Sequence, residues 1–187
     1  ASTVLVADVS YGLDLRTIAN ARTASQRKKL INQLPETDSG LYTVYRKALH
    51  SSEAIRDFLR DSGHFPLSAA GDINTYQIFA GLVRQIVIVL ELGIIVPSGI
   101  ATDYYNQDYF NAIVQNQELV SLYDFENRQG IFPEVHRSYK FSLLSLRGSG
   151  GQQVRPITFA FFLTQPDQLN DDARIYTLAP AALRQIN

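Results

Sequence analysis

The chain has 187 residues, of which 45% are hydrophobic and 19% are charged, and its 17 Lys and Arg against 18 Asp and Glu give a formal net charge of −1. This composition is typical of a folded globular protein and excludes a disordered chain. Because the net charge of the chain is near zero, it could recognise a nucleic acid only through a local basic patch. The absence of Cys excludes disulfides, thiolate nucleophiles and Cys-ligated metal centres.

Nothing in the sequence predicts export or membrane insertion. No run reaches the ~18 apolar residues that a bilayer span requires, and the first residues lack the basic start and long apolar stretch of a secretory signal. We therefore expect a cytoplasmic protein without a membrane partner. The simultaneous absence of Met, Cys and Trp favours a fragment of a longer protein.

Helices are predicted for the first third of the chain. The basic stretch 22–33 is expected to form a linker or short helix that Pro35 ends. Apolar side chains then recur at three- and four-residue spacing. This spacing predicts an amphipathic helix over 38–61, with Asp38 or Ser39 as its cap.

Helices then alternate with strands. An apolar stripe over 73–86 predicts a helix that we expect to be well buried. The short β-branched run 93–97 predicts a strand buried on both faces of a parallel sheet. A third helix, capped by Thr102 or Asp103, separates this strand from a second one at 119–125. The alternation of helix and strand predicts an α/β fold.

Two further apolar runs, 139–146 and 157–164, are joined by the glycine-rich stretch 147–152. They are therefore expected to pair with each other as a hairpin. A hairpin beside parallel strands makes the predicted sheet mixed. Beyond Pro166 the chain becomes polar and the strand pattern ends.

Several common kinds of active site are excluded. The usual metal-dependent nuclease site needs an acidic residue two positions before a lysine, and Gln, Arg, Tyr and Ser occupy those positions before the four lysines. The three histidines lie in separate segments without the i,i+4 spacing of a zinc site, so no metal site is expected. The loop 148–151 neither follows a first strand nor opens a helix, so a hairpin connection explains it better than a phosphate cradle.

Polar and aromatic side chains gather at the predicted strand ends, where ligands bind in open α/β sheets. Residues 97–99 follow one strand and residues 124–127 follow the next. Residues 132–135 precede a further strand, and residues 74–79 open a helix. Each aromatic ring alone fits a core position, but their joint placement favours a ligand site.

Four segments, taken in chain order, carry a family resemblance: Gly71–Tyr76, Gly93–Asp103, Ser121–Pro133 and Lys140–Leu144. They resemble the large bacterial adenine-N6 DNA methyltransferases of type IIG restriction–modification and related phage-defence systems. The resemblance extends from about residue 21 to residue 178. In that family an S-adenosylmethionine loop and an Asn-Pro-Pro-aromatic catalytic motif precede these segments. This chain contains neither of them.

The resemblance implies the second half of a Rossmann-like methyltransferase domain, with a mixed sheet, helices on its faces and a C-terminal β-hairpin. Residues 1–36 would be a linker or helical segment, 37–164 the half-domain, and 165–187 a polar extension leading toward a target-recognition region. S-adenosylmethionine is then the expected cofactor of the complete enzyme. The expected partners are double-stranded DNA and the missing first half or a partner subunit. The isolated chain would contain no catalytic residue.

The resemblance also implies a group of cofactor-binding residues. Asn74 and Tyr76, with Phe79, match the family segment that lines the adenine of the cofactor. Phe79 is the ring expected to pack on that adenine. The alternative for Phe79 is core packing with Leu82 and Ile86.

A second group would contact DNA. Phe132 matches the family position whose ring stacks on an extruded target base, and flipping a base out of a duplex costs a few kcal/mol of lost stacking. Arg137 and Lys140 would contact phosphates, with solvated surface charge as the alternative. Pro97 and Ser98 match the strand end beside the catalytic pocket, with strand termination as the alternative.

Two other functions remain open. One is a non-catalytic DNA-binding or assembly module that keeps half of the fold and offers a surface to another subunit. The other is a stand-alone α/β protein that binds a nucleotide-like ligand.

Overall fold

The computed structural model describes residues 13–87, 91–148 and 155–183. The chain divides into two compact units, Ala1–Asp61 and Ser62–Asn187. This division lies at the end of the helix predicted over 38–61, whereas the first domain boundary was predicted before that helix, after residue 36.

The described part of the first unit is helical. Its helices are α1 (Leu13–Ala19), α2 (Ala24–Thr37) and α3 (Ser39–Asp61). Thr23 caps α2, because its side-chain oxygen accepts a hydrogen bond from the Gln26 N–H at 3.2 Å. Ile18, Leu34 and Leu41 form a small buried cluster that joins the three helices.

The predicted helix end at Pro35 is wrong, since α2 continues to Thr37. Pro35 stands in the last turn, where the loss of one N–H removes a single helical bond and leaves the rest of the helix intact. The Asp38 N–H then donates to the Leu34 carbonyl at 2.8 Å and closes the helix.

Helix α3 confirms the helix predicted over 38–61. Asp38 is its cap as expected, because Oδ1 accepts a hydrogen bond from the Leu41 N–H at 2.8 Å. The apolar stripe is only partly buried: Leu41 is 4% exposed, whereas Ile55 is 61% exposed. Gly63 follows the helix end with φ +75°, a conformation that suits glycine.

The second unit is an α/β structure. Its described elements, short 3₁₀ turns aside, are helices α4 (Thr75–Ile86), α5 (Gly99–Thr102), α6 (Gln107–Gln115) and α7 (Pro180–Leu183), and strands β1 (Glu91–Pro97), β2 (Leu119–Glu126), β3 (Lys140–Arg147), β4 (Ile157–Leu163) and β5 (Tyr176–Leu178).

The five strands form one mixed sheet in the order β1-β3-β2-β4-β5, which confirms the predicted mixed sheet. Strand β3 is antiparallel to both β1 and β2, β2 is parallel to β4, and β4 is antiparallel to β5. Strands β1 and β2 therefore run in the same direction with β3 between them. The connection from β1 to β2 is helical, as the βαβ alternation predicted, but it carries two helices, α5 and α6. The predicted cap at Thr102 or Asp103 is wrong, because these residues end α5 and α6 begins at Gln107, after Asn106.

The predicted C-terminal hairpin is wrong, because β3 and β4 do not pair. Strand β2 lies between them. The register explains why β3 occupies the interior: Leu144 lies opposite Ile94 on one side and Leu122 on the other. This row of apolar side chains buries β3 between two partners, and a hairpin with β4 would give up one of them.

Strand β1 also differs from its prediction. It pairs antiparallel with β3 and is at one end of the described sheet, so it is not a strand buried on both faces of a parallel sheet. Ile94 and Val96 are buried on the face that carries α4 and α6, while Ile95 points the other way and is 56% exposed. The cause is that those helices cover only one face of this strand.

Helix α4 is buried on one side only, which corrects the expectation of a well-buried helix. Ala80 and Val83 belong to the main core, with Ile113 of α6. Phe79 is 53% exposed and Ile86 is 64% exposed. On the opposite face of the sheet, a second cluster is formed by Phe125, Phe141, Ala160 and Leu163, with Ile131, Phe132 and Leu169 packed against it.

Strand β5 was not predicted. It has three residues, 176–178, and lies in the polar region after Pro166 where the strand pattern was expected to end. Ile157 pairs with Leu178 and Phe159 with Tyr176, so the extension joins the sheet through β4.

An ion pair joins helix α4 to the start of β2. The Arg84 guanidinium contacts the Glu118 carboxylate through two N–O pairs, at 2.5 and 3.1 Å. The Glu118 side chain is 7% exposed, and its carbonyl accepts a hydrogen bond from the Arg147 N–H at 2.8 Å. The charge of Glu118 is thus buried against a partly buried arginine.

We predict that Glu118→Gln lowers the free energy of unfolding by about 1.5–3 kcal/mol, because a buried hydrogen bond to a charged group is lost. The matched control is Glu126→Gln, whose carboxylate pairs with the 69% exposed Arg128 side chain. That change should cost at most about 1 kcal/mol, as for a surface pair. Urea unfolding of both variants measures the difference, and equal losses would contradict the assigned role of Glu118.

Candidate functional site

The ends of β1 and β2 meet the start of β3 at one edge of the sheet. Pro97 pairs with Phe141, and Glu126 pairs with Lys140. The Ser98 N–H donates to the Lys140 carbonyl at 3.3 Å, which extends the contact beyond the strand. Ligands bind at the carboxyl ends of strands in open α/β sheets, so this edge is the candidate site.

Three side chains from three strand ends meet there, and we name them the serine–aspartate cluster: Ser98, Asp124 and Ser142. The Ser98 hydroxyl donates a short hydrogen bond to Asp124 Oδ1. Ser142 Oγ lies 3.4 Å from the same oxygen and 3.3 Å from Ser98 Oγ. Ser142 is 1% exposed. The two hydroxyls therefore hold the Asp124 carboxylate in a fixed orientation.

A second network links helix α4 to the segment after β1. Asn106 is buried, and its Nδ2 donates to the Gly99 carbonyl at 2.7 Å and to Tyr76 Oη at 3.0 Å. Its Oδ1 accepts from Gln77 Nε2 at 2.9 Å. Tyr76 Oη in turn donates to Asp103 Oδ2 at 3.3 Å. One buried amide thus positions both α4 and the segment that follows Ser98.

Burial raises the pKa of the Tyr76 phenol above its ordinary value of 10. The nearby Asp103 carboxylate raises this pKa further, while the hydrogen bond from Asn106 lowers it. The phenol consequently stays protonated at neutral pH and acts as a hydrogen-bond donor.

The loop that carries Phe132 is held by one buried amide. Asn127 is 0% exposed, and its Oδ1 accepts from the Phe132 N–H at 2.9 Å. Its Nδ2 donates to the carbonyls of Phe132 and Val135 at 2.9 and 2.8 Å. The Phe132 ring packs edge-to-face on Phe141, with centroids 5.0 Å apart. Asn127 therefore fixes the backbone of the loop at Phe132.

The predicted DNA-contacting residues are distributed around this edge. Phe132 is half-buried, and Lys140 is exposed at the start of β3. Arg137 is exposed, and its guanidinium covers Gly130, whose lack of a Cβ permits that approach. Pro97 is the last residue of β1, as the strand-termination alternative expected. Ser98 belongs to the serine–aspartate cluster.

The predicted cofactor-binding residues lie at the start of α4. The Asn74 N–H donates to Gln77 Oε1 at 2.7 Å, and Gln77 connects it to Asn106. Tyr76 joins the same network directly. Phe79 is half-exposed, so its core-packing alternative does not hold.

An open pocket of about 210 Å³ lies beside this network, lined in part by Asp103, Tyr104, Gln107 and Phe110. Tyr104 is 81% exposed and packs edge-to-face against Tyr105, with ring centroids 5.7 Å apart. Asp103 therefore connects the Tyr76 hydrogen bond to the wall of this pocket.

Two residues of the site, Asn106 and Ser142, were not proposed as site residues from the sequence. A signal existed for Ser142, because it occupies the same face of β3 as Leu144 and Leu146. A polar residue at a core-facing position needs a partner. Asp124 and Asn127 were recognised only as part of a polar strand end.

Comparison with protein-family models, with curated proteins and with solved structures finds no match. In the ranges that the structure describes, no three His, Asp or Glu side chains are grouped so that they could hold a metal ion. No helix within these ranges has the length and apolar character needed to cross a membrane.

We predict that Asn127→Ala releases the Phe132 loop. The Phe132 N–H loses its acceptor, and one hydrogen bond is worth about 0.5–1.5 kcal/mol, so amide exchange at Phe132 should accelerate by up to about tenfold. Gln129→Ala is the matched control from the same loop, because its side chain is exposed and accepts a hydrogen bond from Gln165 and not from the Phe132 backbone. Hydrogen exchange followed by NMR measures both, and unchanged exchange in Asn127→Ala would contradict the role of this amide.

Proposed function

We propose that this chain is a segment of an S-adenosylmethionine-dependent DNA adenine-N6 methyltransferase from a bacterial restriction–modification system. One observation carries the proposal: the four segments that resemble this family are separate in sequence but meet at one edge of the sheet. Their meeting point is built from side-chain hydrogen bonds rather than from apolar packing alone.

Specific contacts connect the four segments. Tyr76 of the first segment donates to Asp103 of the second. Ser98 of the second donates to Asp124 of the third. Ser142 of the fourth lies against both Ser98 and Asp124. Functional groups brought together in this way from distant positions favour a ligand site over a chance polar surface.

The sheet topology supports the same proposal. The order β1-β3-β2, with β1 and β2 parallel and β3 inverted between them, is compatible with the later strands of a Rossmann-like sheet. The outer edge of β1 pairs with no strand among the described residues. A strand from the missing first half of the domain would pair there and cover its unpaired N–H and C=O groups.

The residues at the start of α4 fit the cofactor. S-adenosylmethionine supplies an activated methyl group when bound. Phe79, 53% exposed, offers an open ring face on which the adenine of the cofactor can pack. Tyr76 offers a protonated phenol, and Asn74 lies two residues before it, at the N-cap of α4.

The residues beyond β2 and at the start of β3 would act on DNA. The half-buried Phe132 ring stacks on the extruded adenine, and the exposed Arg137 and Lys140 bind phosphates. Pro97 and Ser98 form the strand end beside the base. The group that activates the target amine belongs to the Asn-Pro-Pro-aromatic motif, which this chain lacks.

A non-catalytic DNA-binding or assembly module is the second candidate. The observation in its favour is the absence of the cofactor loop and the catalytic motif from the sequence. A partner subunit would then pair with β1 without any methyl transfer. A stand-alone nucleotide-binding protein is the third candidate, and the open pocket beside Asp103 is the feature that favours it.

We predict that the purified 187-residue chain transfers no methyl group to DNA, because the residues that activate the amine are missing. The assay follows radiolabelled methyl groups from S-adenosylmethionine into duplex DNA. The positive control is the natural polypeptide or complex that contains this segment. Methylation by the isolated chain would contradict the assignment of the missing parts, and no methylation by the natural protein would favour the non-catalytic module.

We predict that Phe132→Ala in that natural protein weakens transition-state binding by about 1–3 kcal/mol, the value of one base–aromatic stack. Phe132→Tyr should restore most of the activity, because it keeps the ring. Thermal unfolding is measured in parallel, since Phe132 also packs on Phe141. Reduced methylation per folded molecule, milder on a mismatched adenine that is easier to extrude, supports stacking. Normal activity per folded molecule would show that the ring serves only the fold.

A further inference from the structure

Within the described residues, hydrogen bonds reach the Asp124 carboxylate on one of its two oxygens. Ser98 and Ser142 both approach Oδ1. Among the described residues no hydrogen-bond donor reaches Oδ2. A carboxylate offers about four lone-pair positions on its two oxygens. The serine–aspartate cluster therefore orients Asp124 and leaves one oxygen for another donor.

Among the residues that the structure describes, no cation forms an ion pair with Asp124. Asp124 is half-buried at the strand ends. Its neighbours in the cluster are neutral hydroxyl groups. A half-buried carboxylate in such surroundings is stabilised by a further N–H donor, and more so by a positively charged one.

We propose that Asp124 Oδ2 is the acceptor for an amino group of the ligand that binds at this edge. Ser98 and Ser142 are the positioning residues, because their hydroxyls set the rotamer of the carboxylate. The identity of the ligand rests on the proposed function. A methyltransferase segment meets two amino groups, the aromatic amine of adenine and the aliphatic ammonium of the methionine part of its cofactor.

Two pairs of small molecules test this contact on the chain as it exists. Adenosine is compared with purine riboside, which lacks the amine, and methionine with its 2-hydroxy analogue, which lacks the ammonium. NMR titration gives the dissociation constants and the backbone amides that respond. We expect one amino compound to bind more tightly than its analogue and to shift the amides of Ser98, Asp124 and Ser142. Preference for adenosine identifies a purine amine, and preference for methionine identifies an ammonium.

Asp124→Asn keeps the size of the side chain and removes its charge. The favoured amino compound should bind this variant at least about tenfold more weakly, whereas its analogue should bind both proteins equally. Glu126→Gln is the matched control, because it removes a carboxylate two residues along the same strand, and it should bind as the wild type does. If Asp124→Asn does not fold, the proposed contact is decided by the wild-type protein, through its preference for the amino compound over the analogue and through the shifts of the Ser98, Asp124 and Ser142 amides.

The inference is overturned if wild-type protein binds neither amino compound in preference to its analogue, or if Asp124→Asn binds the favoured one unchanged. This outcome is separate from the methylation test. Methyl transfer by the natural protein without amine selectivity at Asp124 would remove the inference and leave the proposed function standing. Amine selectivity at Asp124 without methyl transfer by the natural protein would keep the inference and remove the proposed function.

Discussion

Strand β3 determines the candidate site because both of its edges pair with strands that run in the opposite direction. This pairing brings the carboxyl ends of β1 and β2 beside the amino end of β3. Ser142 then lies opposite Val96 on one side and Asp124 on the other. A shift of one residue would turn Ser142 to the opposite face of the sheet. The apolar row of Ile94, Leu144 and Leu122 opposes that shift, so core packing also holds the polar cluster in place.

The elements with strong local signals were predictable from sequence. The helix over 39–61 has an Asp cap and regular apolar spacing, and strand β2 has a β-branched and aromatic run. The pairing of strands was not predictable in the same way. The glycine-rich loop after β3 suggested a hairpin, but pairing depends on long-range burial, and β2 provides a better partner than β4 on that side. The strand pairing therefore follows long-range burial and not the local sequence of the turn.

The site was partly predictable for a related reason. Tyr76 and Ser98 were found through the family resemblance and through their place at element ends. Asn106 was not found, and Asn127 was recognised only as a member of the polar strand end 124–127, because a buried amide that bonds to main-chain groups looks like any loop Asn in the sequence. The role of a buried Asn side chain depends on which backbone atoms surround it after folding. Those atoms belong to residues that carry no distinctive sequence pattern.

The two faces of β3 limit how one ligand could use this edge. Ser142 and Phe141 are neighbours in β3 and therefore point to opposite faces. Asp124 lies with Ser142 on the face of the helices, whereas Phe132 packs on Phe141 on the other face. A base stacked on Phe132 could bring its amine to Asp124 only by lying across the strand ends. A ligand confined to one face would contact either the Phe132 ring or the Asp124 carboxylate. One molecule can therefore stack on Phe132 and donate an amine to Asp124 only if it spans the edge of the sheet.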